Sequence, residues 1–236
     1  MTESPTAMDR TLWPALLLLV AVAVFFQFTN ADVFLQDYLF NFDTKEWIVN
    51  RDIRWQQIVF HKGMRILASC FAGWVLLVHV IGKWWPRVAP AGGARPFRGA
   101  VVLLAMGLTV GVTGLGKKAT HAFCPNQITR YGGEEAYTPT WTRYTPESRP
   151  VKYGQCWPAG HASGGFGIMA AATLASTSRG RRRGILAGLL VGWIMGGYQM
   201  AKGAHYLSDT LVTMLLAWIF HLLMRRVWLL RRAPES

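Results

Sequence analysis

Long apolar runs that are nearly free of charge constrain the fold of this chain more than any other feature of its sequence. A helix that crosses the hydrocarbon core of a bilayer needs about 20 largely apolar residues, and polar or aromatic flanks extend each run toward that length. Six such runs cannot all be buried inside a soluble protein of 236 residues. We therefore predict an all-α, polytopic membrane protein with six transmembrane helices. The runs cover 12–28, 66–81, 99–116, 162–178, 184–201 and 210–223.

The placement of basic residues predicts how these helices are oriented. If the N-terminus is cytoplasmic, the inside segments contain about half of the 25 Lys and Arg residues although they are much shorter than the outside segments, as the positive-inside rule requires. The clearest marker of the cytoplasmic side is the group of four arginines at 179–183. Both termini are thus predicted to be cytoplasmic. A net charge of +13 placed in this way indicates contact with anionic lipid head groups and no nucleic-acid partner.

Two long outside segments follow from this topology. Segment 29–65 mixes acids with aromatic residues, which is compatible with an interfacial helix. Segment 117–160 contains several prolines and the pair Gly132-Gly133, which are signals of turns and loops. We treat residues 1–236 as a single membrane-embedded domain in which 117–160 is the outer loop of a candidate active site.

Three short polar stretches fall at the ends of the predicted spans, all on the outer face. The first, 116–125, closes the third span. The second, 156–161, opens the fourth span, and the third, 202–209, lies between the fifth and sixth spans. Ionisable residues at span ends that face a common cavity are candidates for a functional site.

The residue types in these stretches suit phosphoryl transfer. His205 and Asp209 are four residues apart, which on a helix places them within hydrogen-bond reach. A carboxylate on one ring nitrogen makes the other nitrogen a better nucleophile. Gly160 opens a turn into a helix whose N–H groups can bind phosphate, and His161 can protonate a leaving oxygen. Lys117 can neutralise phosphate oxygens; taken alone, it is also an ordinary anchor at a span end.

In order and spacing, these stretches resemble the three motifs of the type 2 phosphatidic acid phosphatase superfamily, over roughly residues 60–225. The resemblance implies His205 as the nucleophile, Asp209 as the residue that orients it, and His161 as the general acid. It also implies that Lys117 binds the substrate phosphate, and we assign Gly160 to the same site because of the N–H groups at the predicted helix start. A six-span membrane fold with the motifs on the outer side, and no metal or other cofactor, are further implications of the family.

Three departures from the family's pattern remove phosphate-binding groups. Cys124-Pro125 stands where the first motif usually has Arg-Pro, Ala159 where the second has Ser, and Gln199 where the third has Arg. These changes resemble a bacterial inner-membrane subgroup in which Cys-Pro is followed by Tyr-Gly-Gly. The candidates for the missing positive charge are Lys202, Arg130 and Lys118.

The sequence therefore favours a multi-pass lipid phosphatase of the bacterial inner (cytoplasmic) membrane. We expect it to hydrolyse a lipid-linked phosphomonoester or diphosphate at the outer (periplasmic) face through a phosphohistidine intermediate, with the bilayer and the lipid phosphate as its partners. Transfer of the phosphate to a second lipid is an alternative. A catalytically decayed lipid-binding or transport protein of the same fold is another. The identity of the lipid and the oligomeric state stay open.

The positions of the three cysteines allow one further prediction, which concerns a disulfide. Cys124 and Cys156 each lie beside a motif on the predicted oxidising face, where disulfides persist. A bridge between them would join the ends of the third and fourth spans and hold Lys117 near His161; two free thiols are the alternative. Cys70 falls within the second span, where we expect a buried small apolar residue.

Overall fold

The structure is a computed structural model that describes residues 5–84, 96–145 and 150–231. Most of the predicted inside loop at 82–98, and the chain ends at 1–4 and 232–236, lie outside the described residues. The helices are α1 (Pro5–Phe28), α2 (Ala31–Asp37), α3 (Arg54–Gln56), α4 (Met64–Trp84), α5 (Pro96–Thr120), α6 (Gly160–Gly167), α7 (Ser178–Ala201) and α8 (Leu207–Leu230). A short antiparallel pair joins β1 (Phe40–Asn41) to β2 (Glu46–Trp47), and a π-helical stretch (Gln57–Gly63) joins α3 to α4.

Five helical segments among the described residues are long and apolar enough to cross a membrane. Each contains one of the predicted runs, and large apolar side chains such as Leu17, Phe25 and Trp74 are exposed on them, as lipid-facing helices require. The prediction of a mostly helical chain with several helices suited to cross a membrane is confirmed, and the β1–β2 pair is its one small sheet among the described residues. The side of the membrane on which the termini and motifs lie stays a prediction. The segments are Arg10–Phe28, Arg54–Ile81, Arg98–Gln127, Ser178–Ala201 and Leu207–Leu230.

The run predicted as a fourth span, 162–178, forms a shorter element. α6 has 8 residues and continues as 6 residues of 3-10 helix, Ile168–Thr173. At rises of ~1.5 and ~2 Å per residue these cover about 24 Å, less than the ~30 Å of a bilayer core. A few residues later Thr177 is the N-cap of α7, and its side chain accepts the N–H of Gly180 at 3.1 Å. A sixth crossing of the membrane therefore stays a prediction.

Glycines allow α6 to lie buried against α7. A Cβ at Gly192 would lie 2.1 Å from the ring of Phe166, and a Cβ at Gly165 would lie 2.8 Å from the backbone of Gly192. The backbones of the two helices therefore approach closely only because these positions lack side chains. α8 packs on α1, α5 and α6. The beginnings of α6 and α8 meet, because the N–H of Ala159 donates to the carbonyl of Asp209 at 3.1 Å.

Segments 29–65 and 117–160 fold onto each other. Segment 29–65 contains the short helix α2 and the β1–β2 hairpin, and a position of this helix at the membrane interface stays a prediction. Rings of the hairpin pack on the loop after α5, with centroids of Phe40 and Trp47 5.2 and 5.1 Å from that of Tyr131.

Cys70 is a free and exposed residue on α4, so the prediction that it is buried is wrong. A small apolar side chain needs no burial on a lipid-facing surface.

Candidate active site

The candidate nucleophile lies in the turn between α7 and α8. His205 is 2% exposed, and its Nδ1 atom is 2.8 Å from Oδ2 of Asp209 in the first turn of α8. The same oxygen accepts the backbone N–H of Tyr206 at 3.0 Å. The sequence predicted this hydrogen bond from a shared helix face. In the structure His205 precedes the helix, and Asp209 reaches back to it.

The environment of His205 favours a neutral ring. Burial lowers the pKa of His205 against the opposing effect of its hydrogen bond to Asp209, and the charges of Lys117 and Lys202 lower this pKa further. A neutral imidazole that donates Nδ1–H to a carboxylate keeps the lone pair on Nε2. That is the form a nucleophile requires.

Backbone contacts hold the turn between α7 and α8. The N–H of Ala204 donates to the carbonyl of Gln199, and the N–H of Asn126 donates to the carbonyl of Gly203, each at 2.8 Å. Gly203 has a φ of +73°, and a Cβ there would lie 2.3 Å from the indole of Trp47. Both features require glycine. The first motif and the hairpin thus support the turn from two sides.

The second motif begins α6 next to this turn. His161 is the second residue of α6, and the centroid of its ring lies 6.1 Å from that of His205. Gly160 leaves space for Lys117, since a Cβ at Gly160 would lie 2.7 Å from Cε of that lysine. Nζ of Lys117 donates to two backbone carbonyls just before the motif, at 2.8 and 3.2 Å. The structure therefore brings these residues of all three motifs together.

A disulfide joins Cys124 to Cys156, with Cα atoms 5.0 Å apart, so the bridge between the first two motifs is present. Its sulfur atoms and a ring nitrogen of His205 lie within 4.8 Å of one another. A metal site needs thiolate sulfur, and a disulfide sulfur carries no such charge. This group therefore does not fit a metal ion.

The three candidates for the missing positive charge have different surroundings. Lys202 is half-buried, with Nζ 5.0 Å from the ring centre of Tyr198, and its charge acts on His205. Arg130 bonds to both carboxylate oxygens of Asp37 on α2, at 2.8 and 2.6 Å, and this pairing lowers the pKa of Asp37. Lys118 is exposed on α5. Of the three, Lys202 is the candidate whose charge acts on His205.

A cavity of about 600 Å³ opens beside the motifs and extends along α4 and α5. Its polar end contains Lys117, Gly160, His161 and Arg65 of α4. The rest is mostly apolar and small side chains, including Ala68, Ala72, Leu103, Met106, Gly107, Val110 and Met195. The cavity therefore places a cationic end next to an apolar groove.

Sequence reasoning missed three charged residues near this site. Arg65 borders the second predicted run, and its position beside that apolar run was the available signal. Arg51 lies close enough to Lys202 that, after burial, its charge lowers the pKa of that lysine. Asp32 is 4% exposed and accepts the N–H of Ser208 at 2.9 Å. Nothing in the local sequence of Asp32 links it to a residue so distant along the chain.

Comparison with known proteins gives one match. The model of the PAP2 superfamily matches residues 98–233, which is more than half of the chain and includes all three motifs. No curated protein and no solved structure matches the chain. Membership of this family supports phosphatase-type hydrolysis of phosphoesters, and together with the long apolar helices it indicates a membrane protein. With its motifs gathered around His205, the chain belongs to the PAP2 superfamily.

Proposed function

We propose that this protein is a lipid phosphatase that removes phosphate from a lipid-linked phosphomonoester or diphosphate through a phosphohistidine at His205. The observation that carries the proposal is the 2.8 Å contact between His205 and Asp209 beside the ring of His161, 6.1 Å away between centroids. The separation of the two rings allows a phosphoryl group to lie between a nucleophile and a general acid.

In the first step, Nε2 of His205 forms a bond to phosphorus while the bond to the leaving oxygen breaks. The protonated form of His161 gives its proton to that oxygen. The Asp209 carboxylate stabilises the positive charge that develops on the ring of His205. Lys117 and the N–H groups at the start of α6 neutralise the phosphoryl oxygens.

In the second step, water attacks phosphorus and gives a proton to the now neutral His161. The bond between phosphorus and Nε2 of His205 breaks, which releases inorganic phosphate and restores both histidines. Apart from water and the substrate, every group in this cycle belongs to the chain itself. The site offers the phosphate lysine and histidine side chains, whereas Mg²⁺ requires several oxygen ligands.

The shape of the cavity supports a lipid substrate. Lys117 at its polar end and Leu103 at its apolar end lie about 21 Å apart along α5, at ~1.5 Å per residue. An apolar groove of this length next to a cationic end suits a phosphate attached to a long hydrocarbon chain. We place this site at the outer face of the inner membrane, and the disulfide supports an oxidising compartment.

Phosphate release from a panel of lipid phosphates by the purified protein tests the proposal. The panel contains a phosphatidate, a polyprenyl diphosphate and a lipid A phosphate, each in mixed micelles. His205→Ala should abolish release. His121→Ala is the matched control, because its ring stacks on Tyr153 in the outer loop, 4.1 Å between centroids.

Inclusion of a second, unphosphorylated lipid separates hydrolysis from transfer. A phosphatase gives inorganic phosphate whether or not the acceptor is present, whereas a phosphotransferase gives a newly phosphorylated lipid. The absence of turnover on every member of the panel, in a folded protein, would favour a decayed lipid-binding protein over an enzyme.

A further inference from the structure

The short helix α2 bridges the two helices that flank the His205 turn. Oδ1 of Asp32 accepts the N–H of Ser208 in the first turn of α8 at 2.9 Å. One turn later, Nε2 of Gln36 donates to the carbonyl of Met200 at the end of α7, at 2.8 Å. Asp32 and Gln36 are 4% and 1% exposed. α2 lies outside the residues matched by the family model, so this bridge comes from the N-terminal part of the chain.

The first turn of α8 needs side-chain acceptors for its backbone N–H groups. The first N–H groups of a helix have no partner within it, and short polar residues usually cap them. The N-cap of α8 is Tyr206, which is not such a residue. Two carboxylates perform this role: Asp209 accepts the N–H of Tyr206, and Asp32 accepts the N–H of Ser208.

Each of these two carboxylates accepts a different backbone N–H at the start of α8. An acid in the first turn of a helix is attracted to the N–H groups of that turn. Without Asp32, the unpaired N–H of Ser208 would compete with Nδ1 of His205 for the carboxylate of Asp209. With Asp32 in place, Oδ2 of Asp209 remains on the ring of His205.

We propose that Asp32 is a positioning residue: by accepting the N–H of Ser208, it keeps the carboxylate of Asp209 on Nδ1 of His205. The proposal rests on the proposed function, in which His205 is the nucleophile. In this proposal α2, which is far from the motifs along the chain, directly affects the geometry of the third motif.

The charge environment supports a functional reason for this acid. Asp32 faces Asp209 and Tyr206 at the start of α8 and Tyr137 of the outer loop. Burial, and then the charge of Asp209, raise the pKa of Asp32 to about 7. A buried carboxylate beside a second carboxylate is unfavourable for folding. Its presence here is explained by the hydrogen bond it makes to the first turn of α8.

Two variants of Asp32 separate positioning from packing. Asp32→Ala removes the acceptor, whereas Asp32→Asn keeps an oxygen in the same place. Asp43→Ala, an exposed acid of the same outer segment, is the matched control. We expect kcat of Asp32→Ala to fall about tenfold or more while KM changes less than about twofold, because Asp32 does not line the cavity. Asp32→Asn should recover most of this loss.

A spectroscopic readout makes the test independent of turnover. The Nδ1 proton of His205, assigned by its loss in His205→Ala, gives a far-downfield proton resonance when it is bonded to a carboxylate. We expect this resonance to weaken or disappear in Asp32→Ala and to persist in Asp32→Asn and Asp43→Ala. If His205→Ala retained activity while Asp32→Ala still lost the resonance, the proposed function would fail and the positioning contact would stand.

A double variant provides the sharpest criterion. If Asp32 acts through Asp209, then Asp32→Ala should have little further effect on kcat in the Asp209→Asn background. An unchanged resonance and unchanged kcat in folded Asp32→Ala would overturn the proposal. If Asp32→Ala does not fold, Asp32→Ser takes its place with the same expectations. Failure of both to fold would make Asp32 a residue of overall stability and would also overturn the proposal.

Discussion

Sγ of Cys156 lies 3.6 Å from Nδ1 of His205, the ring nitrogen that also bonds to Asp209. The disulfide partner, Cys124, belongs to the first motif, so one covalent bridge contacts all three motifs. It occupies the position in the sequence where the family usually has an arginine. We expect this covalent link to organise the first motif in place of the charged side chain.

Loss of this bridge should impair both stability and turnover. The two cysteines are 32 residues apart, and closing such a loop contributes roughly 3–4 kcal/mol in the chain-entropy model. We expect Cys124→Ser with Cys156→Ser to lower Tm and to reduce kcat/KM, because the loop whose carbonyls bind Lys117 is no longer tied to the first motif. Cys70→Ser is the control. Thiol titration of the denatured, unreduced protein should find one free thiol; three would contradict the bridge.

Removal of the nucleophile or its orienting acid should nearly eliminate turnover. We expect His205→Ala to reduce kcat by several orders of magnitude, because the covalent path is lost. Asp209→Asn should lower kcat strongly, because an amide donates to Nδ1 and favours the wrong tautomer of His205. Single-turnover kinetics with an acid quench would also detect the phosphohistidine. Near-normal phosphate release by purified His205→Ala would exclude the mechanism.

Activity should persist without divalent metal. Asp209 is bonded to His205 and to the N–H of Tyr206, and Asp32 is bonded to the N–H of Ser208. Neither is available as part of the oxygen shell that Mg²⁺ requires. Turnover measured after dialysis against a chelator should therefore equal that of the untreated enzyme. A complete loss that a single added metal restores would contradict this expectation.

Lys202 should supply part of the charge that Gln199 cannot. We expect Lys202→Ala to raise KM and to lower kcat/KM at least tenfold, about 1.4 kcal/mol. Arg51 is held nearby, because the N–H of Val49 donates to the carbonyl of Ala201 at 3.2 Å. Arg51→Ala should therefore also raise KM, and the effect should shrink in high salt.

Arg54→Ala, which removes an exposed arginine from the same segment, is the control for both variants. Wild-type kinetics of Lys202→Ala would make Arg130 or Lys118 the better candidate. In that case, breaking the Arg130–Asp37 pair with Asp37→Asn would show whether Arg130 is available to the substrate.

The stability of the protein should depend on pH through Asp32. Its pKa is raised from 3.8 to about 7, first by burial and then by Asp209. The folded state therefore holds a proton that the unfolded state releases, and this contribution to stability is lost as pH rises toward 7. Asp32→Asn has no such contribution. The Tm of wild type should therefore fall relative to that of Asp32→Asn between pH 5 and about 7, and the difference should then level off. A difference that stays constant with pH would contradict the raised pKa.

The sequence by itself determined the class of fold and most of the candidate catalytic set. The apolar runs required membrane-spanning helices, because so much apolar surface has no other place in a chain of this size. The spacing of His205 and Asp209 predicted their contact, although His205 precedes the helix whose first turn contains Asp209. The helix that was predicted as a full span, α6, is shorter, and the helical run ends at Thr173, before the point that hydropathy alone indicates.

Only the tertiary structure decided which distant residues serve this site. Asp32 and Ser208 are 176 residues apart, and their hydrogen bond exists because α2 packs between the ends of α7 and α8. Arg130 is paired with Asp37 because the loop after α5 folds onto α2. Such contacts depend on how segments 29–65 and 117–160 pack, whereas periodicity and spacing in a sequence describe only neighbours along the chain. The candidate nucleophile, His205, could therefore be identified from the sequence, whereas tertiary packing decided which distant residues contact its turn and place charge near it.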